Sequence, residues 1–251
     1  MKKIKRKDKS PGSRRPAFVV GHVGESPPAG FLAAWFNQAY GGPLHTRFQN
    51  AHSNAILEAS HLDWKADIRF ESPPDEVAQW QEQIGWAHTG VIQVFSTSRI
   101  GVSRMDAVLF VARLIRGLTL LTAGTAYDLG AGLYWNPSDW SDRSLAQFCI
   151  DDHVSVHQEE SLPDGRQWFV TRGMGKLGLE ELEVFRPRGV SELPTKERLM
   201  DLAHLCALQG KSPKVGDLLH LPVHNFSVPV VKHRTISIAN RQINVREVSW
   251  D

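Results

Sequence analysis

The apolar positions of this chain change period along its length, and the period separates strands from helices. Residues Ala17–Val23 are apolar and rich in β-branched side chains between Pro16 and the run Gly24-Glu25-Ser26-Pro27-Pro28, a pattern that predicts a first strand ended by a turn. From Pro28 to Tyr40 the residues Phe31, Leu32, Trp35 and Phe36 share one stripe of a helix that Gly41-Gly42-Pro43 stops. A strand followed by a helix is how an α/β-type unit begins. Between Asn54 and Phe70, Ile56, Leu57, Leu62, Trp64 and Ile68 surround a polar break at Ser60-His61, which predicts two short strands closed by Ser72-Pro73-Pro74. Asp75 and Glu76 supply a cap and first-turn charge for a short helix over 77–83. Ala87–Ser96 alternates partly and predicts another strand.

Met105–Ala123 is dense in Leu, Val, Ile, Phe and Ala, and Asp106, Arg113 and Arg116 interrupt it. Charges at those positions are costly in lipid, so the segment predicts a buried core helix and not a membrane span. Leu133-Tyr134-Trp135 and the loop Asn136-Pro137-Ser138-Asp139 follow, then a short helix around Arg143–Cys149, and a strand over Gln167–Thr171. Residues 192–209 carry Leu199, Met200, Leu202, Ala203, Leu205, Cys206 and Leu208 on one side and end at Gly210, a second clear helix. Strands over Asp217–Leu221, Phe226–Val231, Thr235–Ile238 and Ile243–Val248 predict a C-terminal antiparallel sheet. Together these elements give an α+β fold, a mixed, largely antiparallel sheet packed against a long central helix and flanking helices. Residues 16–251 form one α+β domain in this reading, with two lobes dividing near 125–165 as the alternative.

Composition supports a packed core, since 41% of the 251 residues are hydrophobic, and eight Trp with eleven Phe supply large rings to fill it. Charge changes the picture at one end. Lys2, Lys3, Lys5, Arg6, Lys7, Lys9, Arg14 and Arg15 face one acid, Asp8, so residues 1–15 are strongly basic while the rest of the chain is mildly acidic. With Ile4 its one large apolar side chain between Met1 and Pro16, that arm lacks the surface to offset its ordering entropy, and disorder is expected there. The arm is the candidate for weak nucleic-acid contact. Ser13-Arg14-Arg15 resembles the start of a twin-arginine export signal, but His22 and Glu25 break the apolar run behind it and no small-residue cleavage site follows, so a cytoplasmic location without a membrane anchor is expected. Two cysteines, Cys149 and Cys206, are too few for a disulfide framework or a thiolate zinc site and are expected as buried, reduced thiols.

Candidate chemistry is sparse. Gly173-Met174-Gly175-Lys176-Leu177-Gly178 matches the dinucleotide-binding glycine pattern after a predicted strand, but Leu179–Arg186 is too short before Pro187 for the helix that would hold a pyrophosphate, and Glu180, Glu181 and Glu183 would repel one. A glycine-rich turn is the expectation, with no cofactor. His153/His157 and His220/His224 are spaced four apart, which places each pair on one face as a metal pair would need, yet no HExxH pattern accompanies them. His88 is a candidate general base whose alternative is a packed, hydrogen-bonded histidine. No nucleophile elbow, phosphate-binding loop or kinase signature is present.

From about Trp80 to the C-terminus the order of features resembles the bacterial family called domain of unknown function 4261. The similarity lies in His88 ahead of the strand Gly90-Val91-Ile92-Gln93-Val94, the long apolar helix, the pair Tyr134-Trp135, and the segment Thr171-Arg172-Gly173-Met174-Gly175-Lys176-Leu177-Gly178-Leu179-Glu180-Glu181-Leu182-Glu183. It extends to the helix over 196–209 and the turn Lys214-Val215-Gly216-Asp217. The resemblance implies an α+β fold and a bacterial cytosolic origin, transfers no catalytic residue, and recasts Gly173 and Gly178 as turn glycines leading into an edge segment in which Glu181 and Glu183 alternate off Leu182. The leading functional expectation is a non-enzymatic intracellular interaction protein, accessory or immunity-like, that binds a protein partner. The alternatives are a hydrolase using histidine and carboxylate groups or a metal, and a nucleic-acid-associated protein held by its basic arm.

Overall fold

The computed structural model describes residues 17–51, 54–71, 88–97, 103–159, 162–221, 225–238 and 241–250. The basic arm 1–15, the predicted helix at 77–83 and His224 lie outside the described residues. Among those described, no helix is long and apolar enough to cross a membrane.

The α+β expectation is met by two sheets, the first covered by two helices and the second by one. The first contains β1 (Phe18–His22), β2 (His45–Ala51), β3 (Asn54–His61), β4 (Trp64–Glu71), β5 (Gly90–Ser96), β6 (Thr125–Asp128) and β7 (Leu133–Trp135). Their order is β2-β3-β4-β5-β1-β6-β7, and every pairing is antiparallel. The second contains β8 (Ser155–Glu159), β9 (Gln167–Arg172), β10 (Glu181–Arg186), β11 (Leu218–Leu221), β12 (Phe226–Ile238) and β13 (Arg241–Val248) in the order β11-β12-β13-β10-β9-β8. Here β10 and β13 run parallel and the other neighbours antiparallel.

Helices α1 (Ala29–Tyr40) and α2 (Arg104–Thr122) cover one face of the first sheet. Helix α2 is apolar on most of its circumference because it is enclosed: Phe110, Leu114, Ile115 and Leu118 pack with Phe18, Val20, Ile68, Ile92 and Val94 from the strands and Leu32 and Phe36 from α1. Ser103 caps its start by accepting the Asp106 N–H. At its N-terminal end Val108 turns into the second core, where Leu199, Leu202 and Ala203 of α4 (Glu192–Gln209) meet Phe169, Leu182, Val184, Val228 and Val230. The short helix α3 (Pro137–Ser141) packs on α2 and β7 and is capped reciprocally by Asn136 and Asp139.

Several expectations change. The helix expected around Arg143–Cys149 does not form; Leu145 takes φ 49°, and a 3-10 turn at Ile150–Asp152 follows. The opening strand and helix begin no α/β crossover, since β1 lies between the antiparallel strands β5 and β6. The polar strand β2 carries no apolar period, because it is an edge strand with little to bury. The two strands expected at 226–231 and 235–238 are one strand, irregular between Val230 and Lys232. The segment expected at an edge is β10, which lies between β13 and β9 in the interior of the second sheet. Cys206 is buried as expected, with its thiol pushed up to about 11, but Cys149 is exposed.

Candidate functional site

The glycine-rich segment forms a buried polar cluster. Strand β9 ends at Arg172, Gly173 caps a 3-10 turn over Met174–Leu177, and Gly178 leads back toward β10, so the chain reverses within six residues. Gly173 takes φ 114° and Gly178 φ 69°. At Gly173 a Cβ would also lie 2.3 Å from the His153 carbonyl oxygen, so both conformation and space demand glycine. The reversal points three backbone N–H groups inward: Gly173 and Gly175 donate to Glu181 Oε1 at 3.1 and 3.2 Å, and Met174 donates to Oε2 at 3.2 Å. Thr171 Oγ1 donates to Oε2 at 2.8 Å. Converging N–H groups of this kind make an anion nest, and here the anion is the chain's own Glu181. Burial pushes the Glu181 carboxyl up, against the four donors that pull it down. The groups that would cradle a phosphate are therefore already spent.

Around this turn the two sheets are joined by polar contacts. Lys176 pairs with Asp128 at the end of β6, and the other Asp128 oxygen accepts the N–H groups of Gly130 and Ala131 at 2.9 and 3.0 Å. Arg104, at the start of α2, donates to the Leu177 carbonyl at 3.0 Å. From β8, the Ser155 hydroxyl donates to the Ala131 carbonyl at 2.6 Å, and His157 Nε2 lies 3.0 Å from that oxygen and 2.8 Å from Ser155 Oγ. A carbonyl can only accept, so the nitrogen facing it carries the proton and is no base for the serine. His153 sits nearby without exposure, its ring 4.9 Å from that of Phe148 and at 20° to it.

His153 and His157 therefore do not assemble as their spacing suggests, and the partner of His220 in the second pair lies outside the described residues. His153 is sealed in the seam while His157 is spoken for by Ala131, and exposed His220 on β11 contacts Ser227 Oγ at 3.1 Å. Among the described residues no group of three or more His, Cys, Asp or Glu side chains is placed to hold a metal. His88 precedes β5 and is buried, with its ring where Gly21 of β1 has no side chain; His22 fills the matching gap at Gly90. The register pairs Gly21 with Val91 and His22 with Gly90, which sets the two imidazoles on opposite faces of the sheet. Burial holds both below the ordinary histidine range. Tyr134 stacks on Tyr127 at 4.4 Å between ring centres, and Trp135 packs inward against Trp140 with the Arg143 guanidinium 4.1 Å from its ring centre. These are packing roles.

A second feature was not legible from motifs. Helix α4 packs on the face of the second sheet that Phe169, Leu182 and Val184 present, so Trp168, Val170, Glu183 and Phe185 point to the opposite face. There the Trp168 and Phe185 rings stack at 6.2 Å and 24°, both half-buried. Arg234 of β12 lies over both, 5.4 and 5.1 Å from the ring centres. Beneath them Glu183 is fully buried and accepts two 2.6 Å hydrogen bonds from Arg234 and one of 2.9 Å from Trp168 Nε1. Arg166 adds a guanidinium 5.0 Å from the Phe185 ring. Four residues from three strands thus form a rigid, partly open aromatic and arginine platform. Trp168 and Phe185 were present in the sequence, but only the pairing of β9 with β10 places them side by side.

Comparison with protein-family models, with curated proteins and with solved structures finds no match to this chain.

Proposed function

We propose that this chain is a non-enzymatic interaction protein that binds a protein partner through the open face of its second sheet. The observation that carries the proposal is the Trp168–Phe185–Arg234 platform, half-open to solvent and fixed from below by the buried Glu183. Rigid aromatic rings and arginine are the residues that protein interfaces concentrate, because they bury large area with few torsions to freeze.

Charge favours a protein over a nucleic acid at this face. Arg234 is matched by Glu183, Arg166 by Asp164, Arg172 by Glu159, and Lys232 stands opposite Glu247 in the strand register. Cations already matched by the chain's own carboxylates release few counterions on phosphate. A nucleic-acid role would rest on the basic arm instead. A hydrolase reading is weakened at the seam, where Glu181, Lys176 and His157 are each committed to internal partners. The resemblance to the family of domain of unknown function 4261 belongs to the same proposal, since its glycine-to-glutamate segment supplies the turn and strand that seat Glu183.

The test is affinity capture from a cell extract at physiological salt, with the full chain and its Trp168→Ala and Trp168→Phe forms, followed by reconstitution with the purified captured protein. A partner whose affinity falls at least tenfold with Trp168→Ala and is largely restored with Trp168→Phe, at unchanged melting temperature, is the expected result. Equal binding by all three forms, or binding that nuclease abolishes, rejects the proposal.

A further inference from the structure

The seam between the sheets contains a buried titratable group that the proposed interface does not use. His153 is fully buried, and neither ring nitrogen has a hydrogen-bond partner among the described residues. Its ring rests on Phe148, and its carbonyl closes on Gly173 at the head of the nest. The geometry points to an acid-sensitive junction: His153 keeps the two sheets joined while its imidazole is neutral, and a proton placed on it opens the seam.

The charged groups around it leave no room for another cation. Lys176 from the turn and Arg143 from the loop after α3 both act on His153, and each already has one carboxylate, Asp128 from β6 and Asp152 from the 3-10 turn. Asp128 also accepts two backbone N–H groups, and Glu181 from β10 is saturated by four donors. Arg104 from α2 adds a third cation on the Leu177 carbonyl. An imidazolium would thus be buried without a counterion beside like charges, and separation of the sheets is the relief available. His157 is a second imidazole at the same seam, held on Ala131 and faced by Arg172, Glu159 and, from α4, Lys196.

Burial, with Lys176 and Arg143 adding to it, lowers His153 from 6.5 to about 3. His157 is lowered as well, by burial first and then by Arg172. A folded value below the unfolded one means that the unfolded or opened state binds protons more readily. Stability from these groups is complete above about 6.5, the unfolded value, and is lost as pH falls toward the folded value. The seam is where that loss falls first, because the buried imidazole and both cations that act on it, Lys176 and Arg143, are located there.

Hydrogen exchange of the full chain at about pH 7.5 and pH 5, corrected for intrinsic rates, tests the junction. Seam amides at 129–134 and 173–179 are expected to open at least tenfold more at the lower pH while those of α4 over 199–207 keep their protection. In His153→Phe, which keeps the ring stack and takes no proton, the response is expected to fall below twofold. Unchanged seam protection, a full response in His153→Phe, or simultaneous loss in α4 would each overturn the proposal. Should that variant fail to fold, an imidazole titration of the native chain decides: His153 still neutral at about pH 5 in the closed form supports the junction, and a protonated ring in an intact seam refutes it.

Discussion

Glu181 Oε1 lies 3.1 Å from the backbone nitrogen of Gly173, at the point where a dinucleotide-binding turn would receive a phosphate. The glycine pattern and the anion nest are both real, and the chain fills the nest with its own side chain eight residues on.

Glu181→Ala should therefore be costly although it removes little apolar surface. Three backbone N–H groups and the Thr171 hydroxyl lose their acceptor at a site closed to water, and a loss of about 2–4 kcal/mol in urea denaturation is expected. The unaltered chain should bind none of NAD, FAD or ATP in calorimetry. Micromolar affinity that disappears with Gly175→Val would return the turn to a nucleotide-binding role.

The glycines Gly21 and Gly90 are expected to be as exacting as those of the turn, for a steric reason. A Cβ at Gly90 would stand 2.6 Å from His22 Cε1, and one at Gly21 2.5 Å from His88 Cδ2. Gly90→Ala should cost about 1–3 kcal/mol through overpacking. Combining it with His22→Ala should cost less than the sum of the single changes, because the second removes the clash. Strict additivity would show that His22 is not what fills the gap.

The Glu183–Arg234 pair should behave as a buried ion pair does when only one member is removed. Glu183 is fully buried, so Arg234→Leu strands its charge with Trp168 as its remaining side-chain donor, and a loss of about 3 kcal/mol is expected. Glu183→Leu together with Arg234→Leu should recover part of it. If the double change is as damaging as the first, the platform depends on the rings and not on the charge beneath them.

Much of the fold is legible in local pattern. The boundaries of α1, α2 and α4 follow from apolar stripes of period near 3.6 ended by Gly41, Ala123 and Gly210, and β3 and β4 follow from the break after Ser60. These are interactions among near neighbours, and a single chain displays them directly. The edge strand β2 and the missing helix at 143–149 were not legible, since one buries little and the other is replaced by Arg143 and Arg113 reaching Asp152 and the Leu145 and Ala146 carbonyls.

The candidate site divides along the same line. Sequence alone determined that the glycines of 173–178 form a turn, because that depends on backbone preferences within a few residues, while the strand that follows was implied by the family resemblance and only as an edge segment. Only tertiary structure decided where the carboxylates point. Glu181 is enclosed because its strand is interior and returns onto its own turn, and Glu183 meets Arg234 from fifty-one residues away. Period-two alternation tells which side chains share a face, but burial of a charge depends on which strands pair and what lies above them, and that is fixed by contacts distant in sequence.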